Sequence, residues 1–263
     1  MSKLEPAVCD KLSRKRLIFT VSTGRNGSAY LSTVMNFCPG VVALHEPTPD
    51  YVEVLRPAQS DVEVAKRFLI EKKLPIVAEF PTSIYLEGSH LFCKGFLEPC
   101  HELGIVPDII YFKRDIRKVS CSLLKMGTIP GRSEKALRYY LSPGDPTVVS
   151  IRGWKSLTDY QLCFWYCLEI ERRAEVYRKL YDQLPQRFVE ASIEQLKTIS
   201  GYRKLLVELD LPPMRILNWL RYLKYRNTKI NESFETKKQI VMPENMKEQE
   251  EEVRCLMNDV VNK

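Results

Sequence analysis

Residues 17–21 read Leu-Ile-Phe-Thr-Val, an apolar, β-branched run that ends abruptly in Ser22-Thr23-Gly24. A run this short and this apolar, closed by turn residues, is the pattern of a strand buried on both faces, as in a parallel sheet. The next segment, Ser28 to Phe37, places Leu31, Val34 and Met35 at helical spacing and is stopped by Pro39-Gly40. A buried strand feeding a helix through a glycine loop commits the chain to a crossover connection, and so to an α/β arrangement.

The alternation continues. Val41–Leu44 predicts a second strand ending in His45-Glu46-Pro47, and Val62–Lys72 a helix. Ile76–Ala78, just after Pro75, predicts a third strand, whereas Leu91, Phe92 and Phe96 in 82–104 suit a strand or a helix equally. Asp108–Phe112 predicts a strand followed by Lys113-Arg114-Asp115 and a helix from about Arg117 to Met126. Leu162, Trp165, Tyr166, Ile170, Ala174, Tyr177, Leu180 and Leu184 recur at helical spacing and predict one long amphipathic helix. Arg187–Glu190 can add a strand, before helices near Ile193–Asp210 and Pro213–Leu223, a loop over Asn231–Ile240 and a last helix from about Pro243. The expected fold is three-layered, a central, mostly parallel sheet flanked by helices. Residues 1–15 are expected as an N-terminal extension and 16–263 as a single domain. In such a sheet ligands sit at the carboxyl ends of the strands, which here carry Thr23–Ser28, His45-Glu46 and Arg114-Asp115.

Composition narrows the partners without choosing one. The formal net charge is +7, which calls for an anionic partner. The basic residues are spread along the chain rather than clustered among aromatics, so a nucleic acid is not expected. No run of about 18 apolar residues is present, and no transmembrane helix is expected. Met1–Arg16 is followed by no signal-peptide core, so the expected compartment is the cytoplasm. The eight cysteines form no CxxC pair, and Cys163 and Cys167, one helical turn apart, are read as buried thiols rather than metal ligands. No metal site is expected.

The loop Gly24-Arg25-Asn26-Gly27-Ser28 between strand and helix is an anion-binding arrangement. Glycines let successive N–H groups converge, the helix N-terminus adds partial positive charge, and Arg25 adds a forked set of donors. It is not a Walker loop, because two residues rather than four separate its glycines and no lysine precedes Ser28. A second basic element, Arg114 with Ser122 eight residues later, places a guanidinium at a strand end and a hydroxyl on the following helix. Arg117 and Lys118 oppose the helix dipole there, which makes sense if an anion docks at that turn. Together the two loops suit a ligand with phosphate groups at both ends.

These residues resemble the PAPS-dependent sulfotransferases, enzymes that use 3′-phosphoadenosine 5′-phosphosulfate (PAPS) and release PAP. Thr23-Gly24-Arg25-Asn26-Gly27-Ser28-Ala29-Tyr30-Leu31 is similar to their 5′-phosphosulfate loop, and Arg114-Asp115-Ile116-Arg117 through Ser122 to their 3′-phosphate motif. Phe188-Val189-Glu190 through Leu196 resembles a further family segment, with Ile193 in place of a tyrosine. Arg25 stands where cytosolic members have lysine, Ile116 where many have proline, and Ser28-Ala29 where they have a threonine pair.

The resemblance implies the P-loop-like sulfotransferase fold, donor binding by Thr23, Gly24, Arg25, Asn26, Gly27, Ser28, Ala29 and Tyr30, and 3′-phosphate binding by Arg114 and Ser122. Lys237 and Lys238 would close over the nucleotide, or are simply solvated. The family's Lys-x-His segment is matched by Lys94-Gly95-Phe96, and a phenylalanine cannot take a proton. Glu46 resembles the strand-end glutamate of the tyrosylprotein branch and is the preferred base; His45 and His90 are alternatives, and His101 is read as structural. Trp154, Tyr160, Trp165 and Tyr166 either line an acceptor pocket or form core. The acceptor expected is a small molecule bearing a hydroxyl, amine or guanidine nitrogen, of the kind made in bacterial or cyanobacterial secondary metabolism. Two rival readings stay open: a magnesium-dependent, kinase-like phosphotransferase, which Asp115 keeps in play, and a non-catalytic nucleotide- or RNA-binding module.

Overall fold

A computed structural model describes residues 4–228 and 242–261. The chain opens with helix α1 (Pro6–Ser13), strand β1 (Arg16–Val21), α2 (Ser28–Met35) and β2 (Val41–Leu44). Helices α3 (Val52–Ala58) and α4 (Val62–Phe68) follow, and a π-helical turn (Leu69–Lys73) joins α4 to α5 (Leu74–Glu79). Next come β3 (Ile84–Glu87), α6 (Leu97–Glu102), β4 (Asp108–Lys113), α7 (Ile116–Lys125) and α8 (Glu134–Tyr139). The remainder holds α9 (Asp159–Tyr181), β5 (Phe188–Ser192), α10 (Ile193–Leu196), α11 (Ile199–Glu208), α12 (Ile216–Tyr225) and α13 (Met246–Val261).

The five strands form one sheet in the order β2-β3-β1-β4-β5, with every neighbouring pair parallel. Side chains alternate across it, as the pleat requires. Leu17, Phe19, Val21, Tyr85 and Ile109 enter the larger apolar cluster on one face, while Ile18, Leu86, Ile110 and Phe112 enter the smaller one on the other. Helix α9 lies in the larger cluster, where Leu162, Trp165, Tyr166 and Ile170 are fully buried. A capping box, in which Thr158 and Gln161 satisfy each other's backbone N–H groups, fixes its start. Helices α2 and α11 cover the opposite face through Leu31, Val34, Tyr202 and Leu205. The three-layer α/β expectation therefore holds. None of the helices among the described residues is long and apolar enough to cross a membrane.

The third strand is not where the sequence puts it. Ile76–Ala78 lies in helix α5, with Leu74, Val77 and Ala78 buried and Ile76 exposed, an i, i+3, i+4 face. Pro75 sits in the first turn of that helix, where its missing N–H costs nothing and its fixed φ is already helical. The true third strand, Ile84–Glu87, lies in the segment the sequence left ambiguous. It was hidden by an acid: Glu87 is fully buried and pairs with buried Lys73 at 2.8 Å, while the Tyr85 hydroxyl donates to it at 2.7 Å. Losing either partner of such a buried pair leaves an uncompensated charge. The segment expected as an N-terminal extension carries α1, whose Lys11 meets Glu79 of α5 at 2.7 Å.

Candidate active site

The carboxyl ends of β1, β2, β3 and β4 open on one cleft of about 490 Å³. Its floor is the loop after β1. Gly24, Arg25 and Gly27 all have positive φ, at 75°, 56° and 89°, a curl that turns the chain into the N-terminus of α2. The fit around Gly27 is close: a Cβ there would lie 2.6 Å from Cδ1 of Ile193 on α10. At Gly24 a Cβ would lie 3.1 Å from the His90 ring. Beneath the loop, the Asn26 side-chain amide donates to the Phe112 carbonyl at 2.5 Å, and the Tyr166 hydroxyl donates to the Thr23 carbonyl at 2.7 Å. Arg114, at the end of β4, donates to the backbone carbonyl of Arg25. One basic strand end thus braces the other.

Thr23, Asn26, Ser28 and Tyr30 are buried, and Tyr30 donates its hydroxyl to the Arg226 carbonyl at 2.9 Å. Gly24 through Tyr30, including Ala29, line the cleft, with Arg114 and Lys197 adding positive charge. Nε of Arg25 is buried with no hydrogen-bond partner among the described residues. An unpaired guanidinium N–H beside a curled loop at a helix N-terminus is the arrangement an anion completes.

Opposite the loop stand the ends of β2 and β3. Glu46 holds φ at 46°. Only Arg25, Glu46 and Asp210 among the described non-glycine residues adopt positive φ, and two of the three line this cleft. Such strain costs about 1–3 kcal/mol and tends to persist at functional sites. Glu46 Oε1 lies 3.5 Å from Nε2 of His90, whose ring is buried and has a pKa well below the usual histidine range. Desolvation is the main cause, and the charges of Lys94, His45 and Arg25 act in the same direction. His90 is therefore a neutral imidazole at physiological pH. His45 also borders the cleft, but its Nδ1 lies 2.8 Å from the Gly88 carbonyl, and that contact ties the ring to the backbone.

Several expectations need correction. Ser122 does not line the cleft with Arg114; it sits half-buried well along α7. Arg117 is not a vacant anion contact, since Glu250 of α13 binds it through both carboxylate oxygens at 2.7 and 2.6 Å. Asp115 caps α7 by accepting from the Lys118 N–H at 2.8 Å. Trp165 and Tyr160 are core, with the Tyr160 hydroxyl donating to Glu250, and neither Trp154 nor Tyr166 borders the cleft. Phe96 is fully buried against Tyr51, while Lys94 turns back toward His90. Lys237 and Lys238 lie outside the described residues.

Sequence reading missed Tyr140, Ile193, Glu194 and Lys197 as cleft residues. Tyr140 follows α8 far from any strand end, and nothing local marks it. A larger hollow of about 620 Å³ lies at the opposite end of the sheet, beside Arg16, Asp108 and Arg187. There Asp108 is already engaged by Arg16 and by the Arg187 N–H. Among the described residues no group of three His, Cys, Asp or Glu side chains is placed to hold a metal.

Compared with protein-family models and with curated proteins, the chain matches none.

Proposed function

We propose that the chain is a sulfotransferase that moves a sulfuryl group from PAPS to a hydroxyl or nitrogen of a small-molecule acceptor, leaving PAP. The observation that carries this reading is the apposition, within one cleft, of an anion-binding loop and a carboxylate. Arg25, whose buried Nε has no partner among the described residues, and the N-terminus of α2 line the same cleft as Glu46 and His90. The close seat of Gly27 on Ile193 holds the loop where its N–H groups can converge on an oxyanion.

PAPS supplies the activated sulfur, whose S–O bond to the 5′-phosphate breaks as the acceptor atom bonds to it. The Glu46 carboxylate accepts the acceptor's proton as that bond forms. Arg25 and the loop N–H groups hold the negative charge that develops on the departing phosphate oxygen. Arg114 keeps the backbone of Arg25 in place and adds charge at the β4 end. Displacement in line needs no covalent enzyme intermediate, and among the described residues of the cleft there is no cysteine, and Ser28 is hydrogen-bonded to no base. The capping role of Asp115 counts against the kinase-like reading, which needs a strand-end acid for magnesium.

The test is a thermal-shift and calorimetric comparison of PAP with ATP plus magnesium, followed by an acceptor screen with PAPS. Stabilisation by PAP beyond that by ATP, with PAP formation dependent on an acceptor, supports the reading. Stabilisation by ATP and magnesium alone would replace it with the phosphotransferase. RNA binding that weakens steeply with salt, without PAPS turnover, would replace it with a binding module.

A further inference from the structure

His90 has a second neighbour, on the side away from the cleft. Lys94 is completely buried, yet its Nζ lies 2.7 Å from Nδ1 of His90 and 2.6 Å from the Tyr139 carbonyl. The same nitrogen stands over the rings of Tyr140 and Tyr166, at 4.6 and 5.0 Å from their centroids. A buried lysine is costly unless its charge is compensated, and here one carbonyl, two aromatic faces and one imidazole nitrogen do so, with no carboxylate among the described residues in contact. The titratable and charged groups that act on the pair are Glu46, Arg25, Arg56, Arg173, His45 and the Cys93 thiol.

With Lys94 charged, the chemistry of the contact fixes the state of the ring. An ammonium has three donors and no acceptor, so Nδ1 must accept from it. A neutral imidazole that accepts at Nδ1 carries its proton on Nε2. Nε2 is the atom that faces Oε1 of Glu46 at 3.5 Å. We infer that Lys94 is a positioning residue: it fixes His90 in the Nε2–H tautomer, so that the ring directs a donor at Glu46 and leaves the carboxylate, not the imidazole, as the proton acceptor of the site.

The ring state follows from the contact while Lys94 is charged, whereas its consequence for turnover rests on the sulfuryl-transfer reading; the two are therefore measured separately. Long-range ¹⁵N–¹H spectra of the whole protein report which imidazole nitrogen carries the proton. The chain has three histidines, assigned by replacing His45 and His101 singly. The spectrum is taken at pH 6.5, below the value of about 7 to which burial brings Lys94, so that the ammonium predominates. The expected result is His90 protonated at Nε2 and bare at Nδ1, turning into a mixture in Lys94→Met, which keeps the apolar stem. Protonation of wild-type His90 at Nδ1 would overturn the inference with no variant needed. In turnover assays Lys94→Met should lower kcat by about tenfold or more, as a misplaced tautomer does elsewhere, with PAP affinity unchanged. Unaltered kcat in a variant that still binds PAP would overturn the catalytic half. Absence of turnover in the wild-type protein would instead remove the sulfuryl-transfer reading and leave the ring assignment standing.

Discussion

Nε2 of His90 lies 3.5 Å from Oε1 of Glu46, so the ends of β3 and β2 meet over the loop that follows β1. That contact joins Glu46 and His90 into one unit and ties its geometry to strand order. With β3 between β2 and β1, both residues line one cleft with Arg25.

Glu46→Gln keeps the shape of the side chain and removes its basicity. The expected outcome is PAP affinity close to wild type and a turnover loss of about 10²–10⁴, the range for a lost general base. Calorimetry with PAP and a single-turnover assay with PAPS check the two halves. Full activity in the variant would transfer the role to His90 or His45.

Arg114 holds the Arg25 carbonyl, and both guanidiniums border the cleft. Arg25→Ala and Arg114→Ala should each weaken PAP binding by about 1.5–3 kcal/mol, the range for a hydrogen bond to a charged group. The pair should be non-additive, because loss of Arg114 also frees the loop that carries Arg25. A double-mutant cycle read by PAP titration measures the coupling; strict additivity would mean that Arg114 does not brace the loop.

Gly27→Ala meets two obstacles, a φ of 89° and a Cβ placed 2.6 Å from Cδ1 of Ile193. Forcing an L-residue into left-handed backbone costs about 1–2 kcal/mol, and the clash adds to it. Chemical denaturation of Gly27→Ala, Ile193→Ala and the double variant separates these costs. Ile193→Ala should relieve the clash and leave the backbone penalty in place.

Stability should rise with pH between about 7 and 9. Lys94 ionises near 7 in the folded chain but near 10.5 when unfolded. Within that window the unfolded state therefore holds the extra proton, and stability increases as pH rises. His90 acts in the same sense lower down: its lowered folded pKa means that stability falls as pH drops below the unfolded value of 6.5. Buried Cys100 and Cys167, each raised to about 12 by desolvation, reverse the trend above about 9, where the unfolded thiols ionise first. Melting temperatures from pH 6 to 9 should climb more gently in Lys94→Met than in wild type. Equal slopes would mean that Lys94 is not the buried titrating amine.

Patterns that rest on neighbours in the chain were legible without the fold. The β1–loop–α2 unit could be read because an apolar run, two glycines and a helical period follow one another directly. Glu46 and Arg114 could be read because strand ends are local events. The strand Ile84–Glu87 could not, since its buried Glu87 is made tolerable by Lys73, fourteen residues earlier and across the fold. Ser122 is a related case: spacing gives its position along α7, and the residues that line the cleft do not include it.

By itself, the sequence determined that a parallel α/β sheet presents a glycine loop carrying Arg25 at its carboxyl edge, because hydrophobic period, glycine and charge act over a few residues. Only the tertiary structure decided what stands opposite that loop. Strand order is a long-range outcome of packing, and it alone brings His90 to Glu46, puts Lys94 behind His90, and gives Arg117 to Glu250 rather than to a ligand.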